Sequence, residues 1–205
     1  AAKSSTRRGP RIIGKLRFCW SWFVAGALLL ILAPPILLVA RLTNHREWVY
    51  PWALFGARNW LRLSGVMMDV KGLELLDPKQ PYVFIANHWS YLDGAPLFAY
   101  TGRRMGLVGK KELLKAPILG SGMGFVNVIA IDRSNRERAV ETIQIATERL
   151  RSGISFGVCA EGTRARPGEM LPFKKGAFHM AVAAGVPIVP IAFKNSDQLM
   201  RRGTG

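Results

Sequence analysis

The sequence predicts the α/β class, with a layered mixed sheet flanked by helices and a membrane-embedded helical segment at the N-terminus. Two observations support this prediction. Residues 18–40 form an uncharged, mostly apolar run, and from about residue 66 short apolar runs alternate with helical patterns. A length of 205 residues suits one domain with an appendage. We therefore expect a basic N-terminus and membrane-anchoring helices in residues 1–63, followed by the α/β domain in residues 64–205.

The N-terminal segment combines positive charge with an apolar run of membrane-spanning length. Residues 1–17 contain six basic residues and no acidic residue, and the 23 residues that follow carry no charge. As a straight helix this run would extend about 35 Å, enough to cross a hydrocarbon core of about 30 Å. No small-residue cleavage site follows it, which argues against a secretory signal peptide. Pro34 and Pro35 leave three forms open: a spanning helix, a kinked helix and a shallow re-entrant hairpin.

Residues 46–65 mix aromatic side chains with arginines, a combination typical of a helix that lies at the lipid headgroup level. The aromatic residues include Trp48, Tyr50, Trp52 and Trp60, and the arginines are Arg46, Arg58 and Arg62. An ordinary core helix with solvated arginines is the alternative. The neighbouring apolar run favours membrane attachment.

The formal net charge of +16 is compatible with nucleic acid, anionic lipid or a phosphorylated substrate. Much of this charge flanks the apolar run, and the sequence has no recognisable nucleic-acid-binding motif, so we expect membrane lipids and no nucleic acid as partners. The two cysteines, Cys19 and Cys159, do not make a disulfide framework, which favours a reducing, cytoplasmic setting for the folded part. No Cys/His cluster has zinc-ligand spacing, so no metal site is predicted.

The second part of the chain carries the strand and helix patterns of the α/β domain. Apolar runs predict strands at residues 67–76, 81–87, 104–109, 127–132, 154–160 and 186–193. Helices are predicted at residues 134–153 and 175–185. The first of these helices has an apolar stripe, a capping-box pattern formed by Ser134 and Glu137, and Gly153 as its stop signal.

The stretch FIANHWSYLDGAP, residues 84–96, places His88 after an apolar strand and Asp93 five residues later. Five residues is not the spacing of partners on one helix face. The two side chains can meet if His88 lies in the turn that leaves the strand and Asp93 enters the first turn of the next helix. His88 would then be a general base for acyl transfer to a hydroxyl, with Asp93 orienting its imidazole. No G-x-S-x-G sequence surrounds Ser90, which favours direct attack by the substrate over an acyl-enzyme.

Charged residues follow three further predicted strands. They are Lys110 and Lys111, Asp132 and Arg133, and the EGTR stretch from Glu161 to Arg164. Because ligand sites in open α/β sheets lie beyond the carboxyl ends of the strands, we expect these groups to converge. The cations suit a phosphate group, and Gly162 permits close approach of the backbone to a ligand, with neighbouring amides suited to an oxyanion. A structural ion pair between Glu161 and Arg164 is the alternative for this stretch.

Four stretches resemble, in order and approximate spacing, the sequence blocks of the glycerolipid acyltransferases. They are NHWSYLD, which carries the H-x4-D motif, then IDRSN, EGTRARPGEMLPFKKGAFHMA and VPIVPIAF. The resemblance covers roughly residues 66–195. Within that superfamily, the E-G-T-R and I-D-R forms are similar to those of the 1-acyl-sn-glycerol-3-phosphate acyltransferases.

The resemblance implies transfer of a fatty acyl group from a co-substrate, acyl-CoA or acyl carrier protein, to the sn-2 hydroxyl of lysophosphatidic acid. The product would be phosphatidic acid, and no cofactor is implied. His88 and Asp93 would be catalytic. The implied substrate-binding residues are Lys110, Arg133, Glu161, Gly162, Thr163 and Arg164. A related enzyme acting on another lyso-lipid, such as a lyso-ornithine lipid, would share the dyad and is the alternative. The expected location is the cytoplasmic (inner) membrane, with the catalytic domain facing the cytoplasm.

Overall fold

The computed structural model describes residues 11–116, 118–132, 134–166, 169–198 and residue 200. The helices are α1 (Arg11–Leu42), α2 (Val49–Leu63), α3 (Gly94–Ala99), α4 (Leu119–Met123), α5 (Arg136–Arg151) and α6 (Gly176–Ala184). The strands are β1 (Val83–Ala86), β2 (Met105–Lys110), β3 (Val128–Ile131), β4 (Ser155–Cys159) and β5 (Ile188–Ile191). Short 3-10 turns connect several of these elements.

The five strands form one sheet in the order β3-β2-β4-β1-β5. Every described pair of neighbouring strands is parallel. The predicted α/β class is confirmed, and the sheet is parallel where a mixed one was expected. The reason lies in the connections, since helical segments return the chain to the same end of the sheet before each new strand. All strand carboxyl ends therefore lie along one edge.

Helices cover both faces of the sheet, which gives a three-layer core. On β1, Val83 and Ile85 pack into a cluster that contains buried residues of α5 and α6. Phe84 and Ala86 point to the other face and pack into a cluster with α3 and residues of α2. All four side chains are buried. This alternation follows from the two-residue period of a strand, and burial on both faces explains the continuously apolar sequence.

The segment 67–76 is not a strand, although its apolar residues predict one. It contains only a 3-10 turn at Leu73–Leu75. Gly72, which precedes that turn, has a φ of 86°, in the left-handed region that an extended strand does not use. Met67 and Leu75 are 96% and 82% exposed, so the apolar pattern of this segment does not correspond to burial against the sheet.

Helix α5 forms where its apolar stripe predicts, but its cap differs from the prediction. The N-cap is Asn135, whose side-chain oxygen accepts a hydrogen bond from the backbone N–H of Arg138 at 3.0 Å. Ser134 instead donates its hydroxyl to Asp132 at 2.6 Å. Because an adjacent carboxylate competes for its hydroxyl, Ser134 does not cap the helix.

Helices α1 and α2 form an antiparallel hairpin that packs on the α/β domain. The Trp60 indole donates to the backbone carbonyl of Ser21 at 2.9 Å, and the hydroxyls of Ser21 and Ser64 are 2.8 Å apart. At the other end of the hairpin, Val49 lies in a buried cluster with Leu37. The helix α1 continues through Pro34 and Pro35, so the chain reverses direction after Leu42 and not at the proline pair.

Helix α1 is long and apolar enough to cross a membrane. Within its segment Ile13–Leu42, the most apolar stretch of 18 residues has a mean hydropathy of 2.6, and only 17% of that stretch is buried inside the protein. Large apolar side chains on this helix are exposed, including Ile13, Leu16, Trp20, Trp22, Phe23, Leu30, Ile31, Leu38, Val39 and Leu42. An apolar surface of this kind is typical of membrane association, while the core helix of a soluble protein would be mostly buried.

Candidate active site

His88 and Asp93 meet in the turn that follows β1. The Nδ1 atom of His88 is 3.0 Å from Oδ2 of Asp93. Asp93 ends a 3-10 turn, Tyr91–Asp93, and α3 begins at the next residue, so the sequence prediction for this pair is correct in its geometry. The Asp93 side chain is 1% exposed, whereas the imidazole is 23% exposed and accessible from outside.

The position of the Asp93 carboxylate is fixed by backbone donors. Its Oδ2 atom also accepts hydrogen bonds from the N–H groups of Trp89 and Ser90, both at 2.8 Å. Ser90 is the N-cap of the 3-10 turn and accepts a hydrogen bond from the N–H of Leu92 through its hydroxyl, completing a capping box. These two donors and the turn hold the Asp93 carboxyl group in one orientation, with Oδ2 directed at the imidazole.

The backbone of His88 is held by the loop that follows β4. Its N–H donates to Oε1 of Glu161 at 3.0 Å, and its carbonyl accepts from the N–H of Ala165 at 2.8 Å. The other oxygen of Glu161 accepts from the N–H of Leu171 at 3.1 Å. Glu161 is 2% exposed. In this structure its carboxylate is engaged with the protein backbone, and its predicted contact with substrate stays a prediction.

The parallel pairing of β1 and β4 explains why these two loops meet. The ladder aligns Val83 with Phe156 and continues to Ala86 with Cys159, so both strands end together. The residues that follow, near His88 on one strand and Glu161 on the other, leave the sheet at the same edge. This is where ligands bind in open α/β sheets.

The EGTR turn contains the other predicted substrate-binding residues. Gly162 has a φ of 73°, a backbone conformation that favours glycine, and its N–H donates to the carbonyl of Cys159 at 3.0 Å. The glycine therefore permits the tight turn that follows β4. Thr163 is exposed. The guanidinium carbon of Arg164 lies 3.4 Å from the ring centroid of Tyr91, within cation–π distance. The turn thus places Arg164 beside the segment that carries the dyad.

A second charged cluster follows β2 and β3. Lys111 donates from Nζ to Oδ2 of Asp132 at 2.9 Å, and Ser134 donates to Oδ1 from its hydroxyl and its backbone N–H. Hydrogen bonding by Ser134 first, and by Lys111 second, holds the pKa of Asp132 well below its ordinary value. Lys110 is exposed and lines a surface pocket at this cluster. Arg133 lies outside the described residues.

The structure therefore brings the predicted residues together in two groups. His88, Asp93, Glu161 and Arg164 lie after β1 and β4. Lys110, the last residue of β2, and Asp132, the residue that follows β3, form the other group, as the pairing of Lys110 with Ile131 requires. The ladder between β2 and β4 ends at Leu107 and Gly157, before either strand ends, so the described strands separate toward their carboxyl ends.

The sequence did not predict that Tyr91 and Trp89 join the turn carrying the dyad to the loop after β4. Tyr91 contacts Arg164 through its ring, and the Trp89 indole donates to the carbonyl of Glu169 at 2.9 Å. The Ser90–Asp93 spacing was a usable signal for the turn, because S-x-x-D has the form of a capping box. No comparable pattern marks the partner of an aromatic side chain, since that partner lies far away in sequence.

The fold and the site together define a class: α/β proteins with a histidine–carboxylate dyad at the carboxyl ends of a parallel sheet. The chain belongs to the acyltransferase family, because a family model described as Acyltransferase matches residues 67–194.

Similar proteins carry related names. The 1-acyl-sn-glycerol-3-phosphate acyltransferase alpha of Homo sapiens is 40% identical over 134 residues, which cover 65% of this chain and 47% of that protein. The 1-acyl-sn-glycerol-3-phosphate acyltransferase of Saccharomyces cerevisiae is 38% identical over 141 residues, covering 67% of this chain and 46% of that protein. The chain thus spans about half the length of these curated relatives.

The fold is also that of a solved structure. The crystal structure of the 1-acyl-sn-glycerophosphate (LPA) acyltransferase from Thermotoga maritima aligns with a TM-score of 0.77, over 94% of this chain and 79% of that one. The two sequences are 23% identical over this alignment. The likeness therefore concerns the fold, including the arrangement of most of the described helices and strands.

Proposed function

We propose that the protein transfers a fatty acyl group from acyl-CoA or acyl carrier protein to the sn-2 hydroxyl of 1-acyl-sn-glycerol-3-phosphate, producing phosphatidic acid. The observation that carries this proposal is the His88–Asp93 pair, with its 3.0 Å contact, beside the loop that holds Arg164. This site combines an oriented base, His88, with a cation suited to a phosphate group, Arg164. Membership of the acyltransferase family and the names of the relatives support the reaction and the acceptor.

The dyad determines which imidazole nitrogen is the base. A carboxylate only accepts hydrogen bonds, so Nδ1 of His88 carries a hydrogen toward Asp93 and Nε2 keeps its lone pair. Nε2 removes the proton of the acceptor hydroxyl as that oxygen attacks the thioester carbonyl. The C–S bond then breaks, and the imidazolium returns the proton to the departing thiolate. Asp93 stabilises the imidazolium throughout this step.

Direct attack by the lipid hydroxyl is favoured over an acyl-enzyme on Ser90. Ser90 is 1% exposed, and its hydroxyl accepts a hydrogen bond from the N–H of Leu92 as part of the capping box. A nucleophile needs access to the carbonyl carbon and a base within hydrogen-bonding distance. The burial of Ser90 and its capping role argue against that function.

Arg164 is the residue that we propose for the acceptor phosphate. Its guanidinium lies over the Tyr91 ring, and the N–H donors of a guanidinium point outward in its own plane. A phosphomonoester held by these donors would place the sn-2 hydroxyl only a few bonds away. Binding of the non-reacting phosphate would then position the reacting hydroxyl near His88. Lys110 and Arg133 are proposed as further phosphate contacts, and Gly162 and Thr163 as residues of the same substrate-binding turn.

We also propose that residues 1–63 anchor the enzyme on the membrane and that residues 64–205 form the catalytic domain. Helix α1 contacts the α/β domain in its N-terminal half, through Trp22 against Tyr91, and at its C-terminal end, through Arg41 over Phe125. Helix α2 has 15 residues, about 22 Å, which is shorter than a hydrocarbon core of about 30 Å. These contacts and lengths favour a hairpin embedded from one side. The domain would face the cytoplasm, where both acyl donors are found.

The test is a product assay with defined lipids. The full chain in mixed micelles is given an acyl-CoA or acyl carrier protein donor, with lysophosphatidic acid or a lyso-ornithine lipid as acceptor, and products are identified by mass spectrometry. Phosphatidic acid and one equivalent of thiol are expected, and His88→Ala is the negative control. Transfer to the lyso-ornithine lipid alone, or to neither acceptor, would overturn the proposal.

A further inference from the structure

The aromatic side chain of Tyr91 connects helix α1 to the turn that carries the dyad. Its ring centroid is 5.6 Å from the Trp22 ring and 6.3 Å from the Phe18 ring, with interplanar angles of 70° and 64°. Edge-on contacts at these distances are attractive aromatic interactions. Trp22 is also 6.2 Å from Trp60 of α2, so this cluster includes both helices of the hairpin.

The same ring contacts the substrate-binding turn. The Arg164 guanidinium carbon lies 3.4 Å from the centroid of Tyr91, which is the shortest of the described cation–π distances. Tyr91 therefore touches α1 through Trp22 and Phe18, and the loop after β4 through Arg164. These three segments are far apart in sequence.

The backbone of Tyr91 is held in place independently of its ring. Its N–H donates to the carbonyl of Met200 at 3.2 Å, and it lies between Ser90 and Asp93, the two residues of the capping box. A ring carried by a fixed turn has few accessible positions. A guanidinium stacked on such a ring is already restricted before a ligand binds. The arginine side chain therefore loses less conformational entropy on binding.

We propose that Tyr91 is a positioning residue: it links the docking of helix α1 to the placement of the Arg164 guanidinium for the acceptor phosphate. This inference rests on the proposed function. Tyr91 acts through Arg164 and does not touch the reacting atoms. Lysophosphatidic acid would be bound well only when α1 is seated on the domain, which couples acceptor recognition to the membrane anchor.

The primary test is a comparison of Tyr91→Ala with Tyr91→Phe. Cation–π contacts of this kind correspond to about a 3- to 30-fold change in an equilibrium constant. Tyr91→Ala should raise KM for lysophosphatidic acid by that factor with a smaller change in kcat. Tyr91→Phe keeps the ring and should keep KM within about twofold of the wild type. A role in folding alone would instead lower the fraction of active enzyme and leave KM unchanged.

A matched pair of tryptophans separates positioning from membrane affinity. Trp22 contacts Tyr91 and is 43% exposed, whereas Trp52 pairs with Phe55 on α2 and is 49% exposed. Both Trp22→Ala and Trp52→Ala remove an exposed aromatic group of the hairpin. In mixed micelles, Trp22→Ala should raise KM for lysophosphatidic acid and Trp52→Ala should not. Equal effects of the two changes would mean that only lipid affinity was altered.

Binding can also be measured without turnover. In a His88→Ala background, titration calorimetry with lysophosphatidic acid should give a Kd that is weaker by the same factor when Tyr91→Ala is added. Adding Tyr91→Ala to Arg164→Ala should cause little further loss, because the affected group is already absent. If the wild type makes no phosphatidic acid, the proposed function fails. If it does, and Tyr91→Ala binds and turns over lysophosphatidic acid with unchanged Kd and KM, the positioning role is wrong.

Discussion

His88 and Glu161, 73 positions apart in sequence, are joined by a hydrogen bond from the backbone N–H of His88 to the Glu161 carboxylate at 3.0 Å. Glu161 is buried, and its second oxygen accepts the N–H of Leu171 at 3.1 Å. One carboxylate thus connects the segment after β1 to two parts of the segment after β4. The base of the proposed reaction owes its position to this link as well as to Asp93.

The first prediction concerns Glu161→Gln. The amide nitrogen of glutamine is a donor, so one of the two backbone N–H groups, of His88 or of Leu171, would lose its acceptor. Leaving a buried donor unsatisfied costs about 1–3 kcal/mol. We expect a lower unfolding temperature and a lower kcat. Thermal unfolding and steady-state kinetics measure both, with Glu112→Gln, an exposed carboxylate, as the control. Wild-type kcat in Glu161→Gln would contradict a positioning role for this residue.

The second prediction concerns the dyad. His88→Ala removes the base, and general-base catalysis contributes about 100- to 10,000-fold to a rate, so kcat should fall by that factor. Membrane binding and the circular dichroism spectrum should not change, since the side chain is partly exposed. Asp93→Asn should also be severe, because the imidazolium loses its anion. If purified His88→Ala retains near-normal turnover, another group is the base.

The layered core and the dyad were predictable from the sequence because local patterns determine them. Short apolar runs bounded by turns predict buried strands, and the H-x4-D spacing corresponds to a strand, a turn and the start of a helix. The segment 67–76 misled this reasoning, since its apolar residues resemble a strand while Met67 and Leu75 are largely exposed. Hydrophobicity alone does not distinguish a residue buried in the sheet from one exposed at the surface.

The contacts of the site that join distant segments were not predictable. Nothing in the sequence near Tyr91 indicates that its ring contacts both Trp22 and Arg164, because these residues are 69 and 73 positions away on opposite sides. The same holds for Glu161, whose sequence block suggested a substrate contact while its oxygens bind backbone N–H groups. The order of the strands and the packing of helix α1 on the domain decide such contacts, and a single sequence does not specify them.

The third prediction concerns recognition of the phosphate by Arg164. Arg164→Ala should raise KM for lysophosphatidic acid strongly while leaving hydrolysis of the acyl donor by water nearly unchanged. Arg164→Lys should restore little, because an ammonium lacks the planar fork of donors. Steady-state kinetics of both variants, with and without acceptor, provide the measurement. Arg166→Ala, an exposed arginine of the same loop, is the control. Equal losses in transfer and hydrolysis would assign Arg164 to the fold.

The fourth prediction concerns the helical hairpin. Insertion of the exposed apolar face of α1 should hold the intact protein on membranes in high salt, since hydrophobic insertion is not screened as surface charge is. Deletion of residues 1–63 should reduce activity on lipid acceptors, and it should release or aggregate the remaining domain. Salt and carbonate washes of membranes, followed by immunoblotting, measure retention. Complete release of the intact protein by salt alone would indicate a peripheral electrostatic contact.

The last prediction concerns Asp132 and its dependence on pH. Hydrogen bonds from Ser134 and Lys111 lower the pKa of this carboxyl in the folded protein, so its ionised form stabilises the fold. That contribution is fully present above the unfolded pKa of about 3.9 and declines as the pH falls toward the lower folded value. Asp132→Asn removes the charge at every pH. Its unfolding temperature should therefore lie below that of the wild type at pH 6, and the difference between the two unfolding temperatures should be smaller at pH 3.

Asp69→Asn is the matched control, because Asp69 is exposed and pairs with Lys71 at 3.4 Å on the surface. It should change the unfolding temperature little at either pH. A gap for Asp132→Asn that stays constant between pH 6 and pH 3 would show that the carboxylate charge is not what stabilises the junction of β2 and β3.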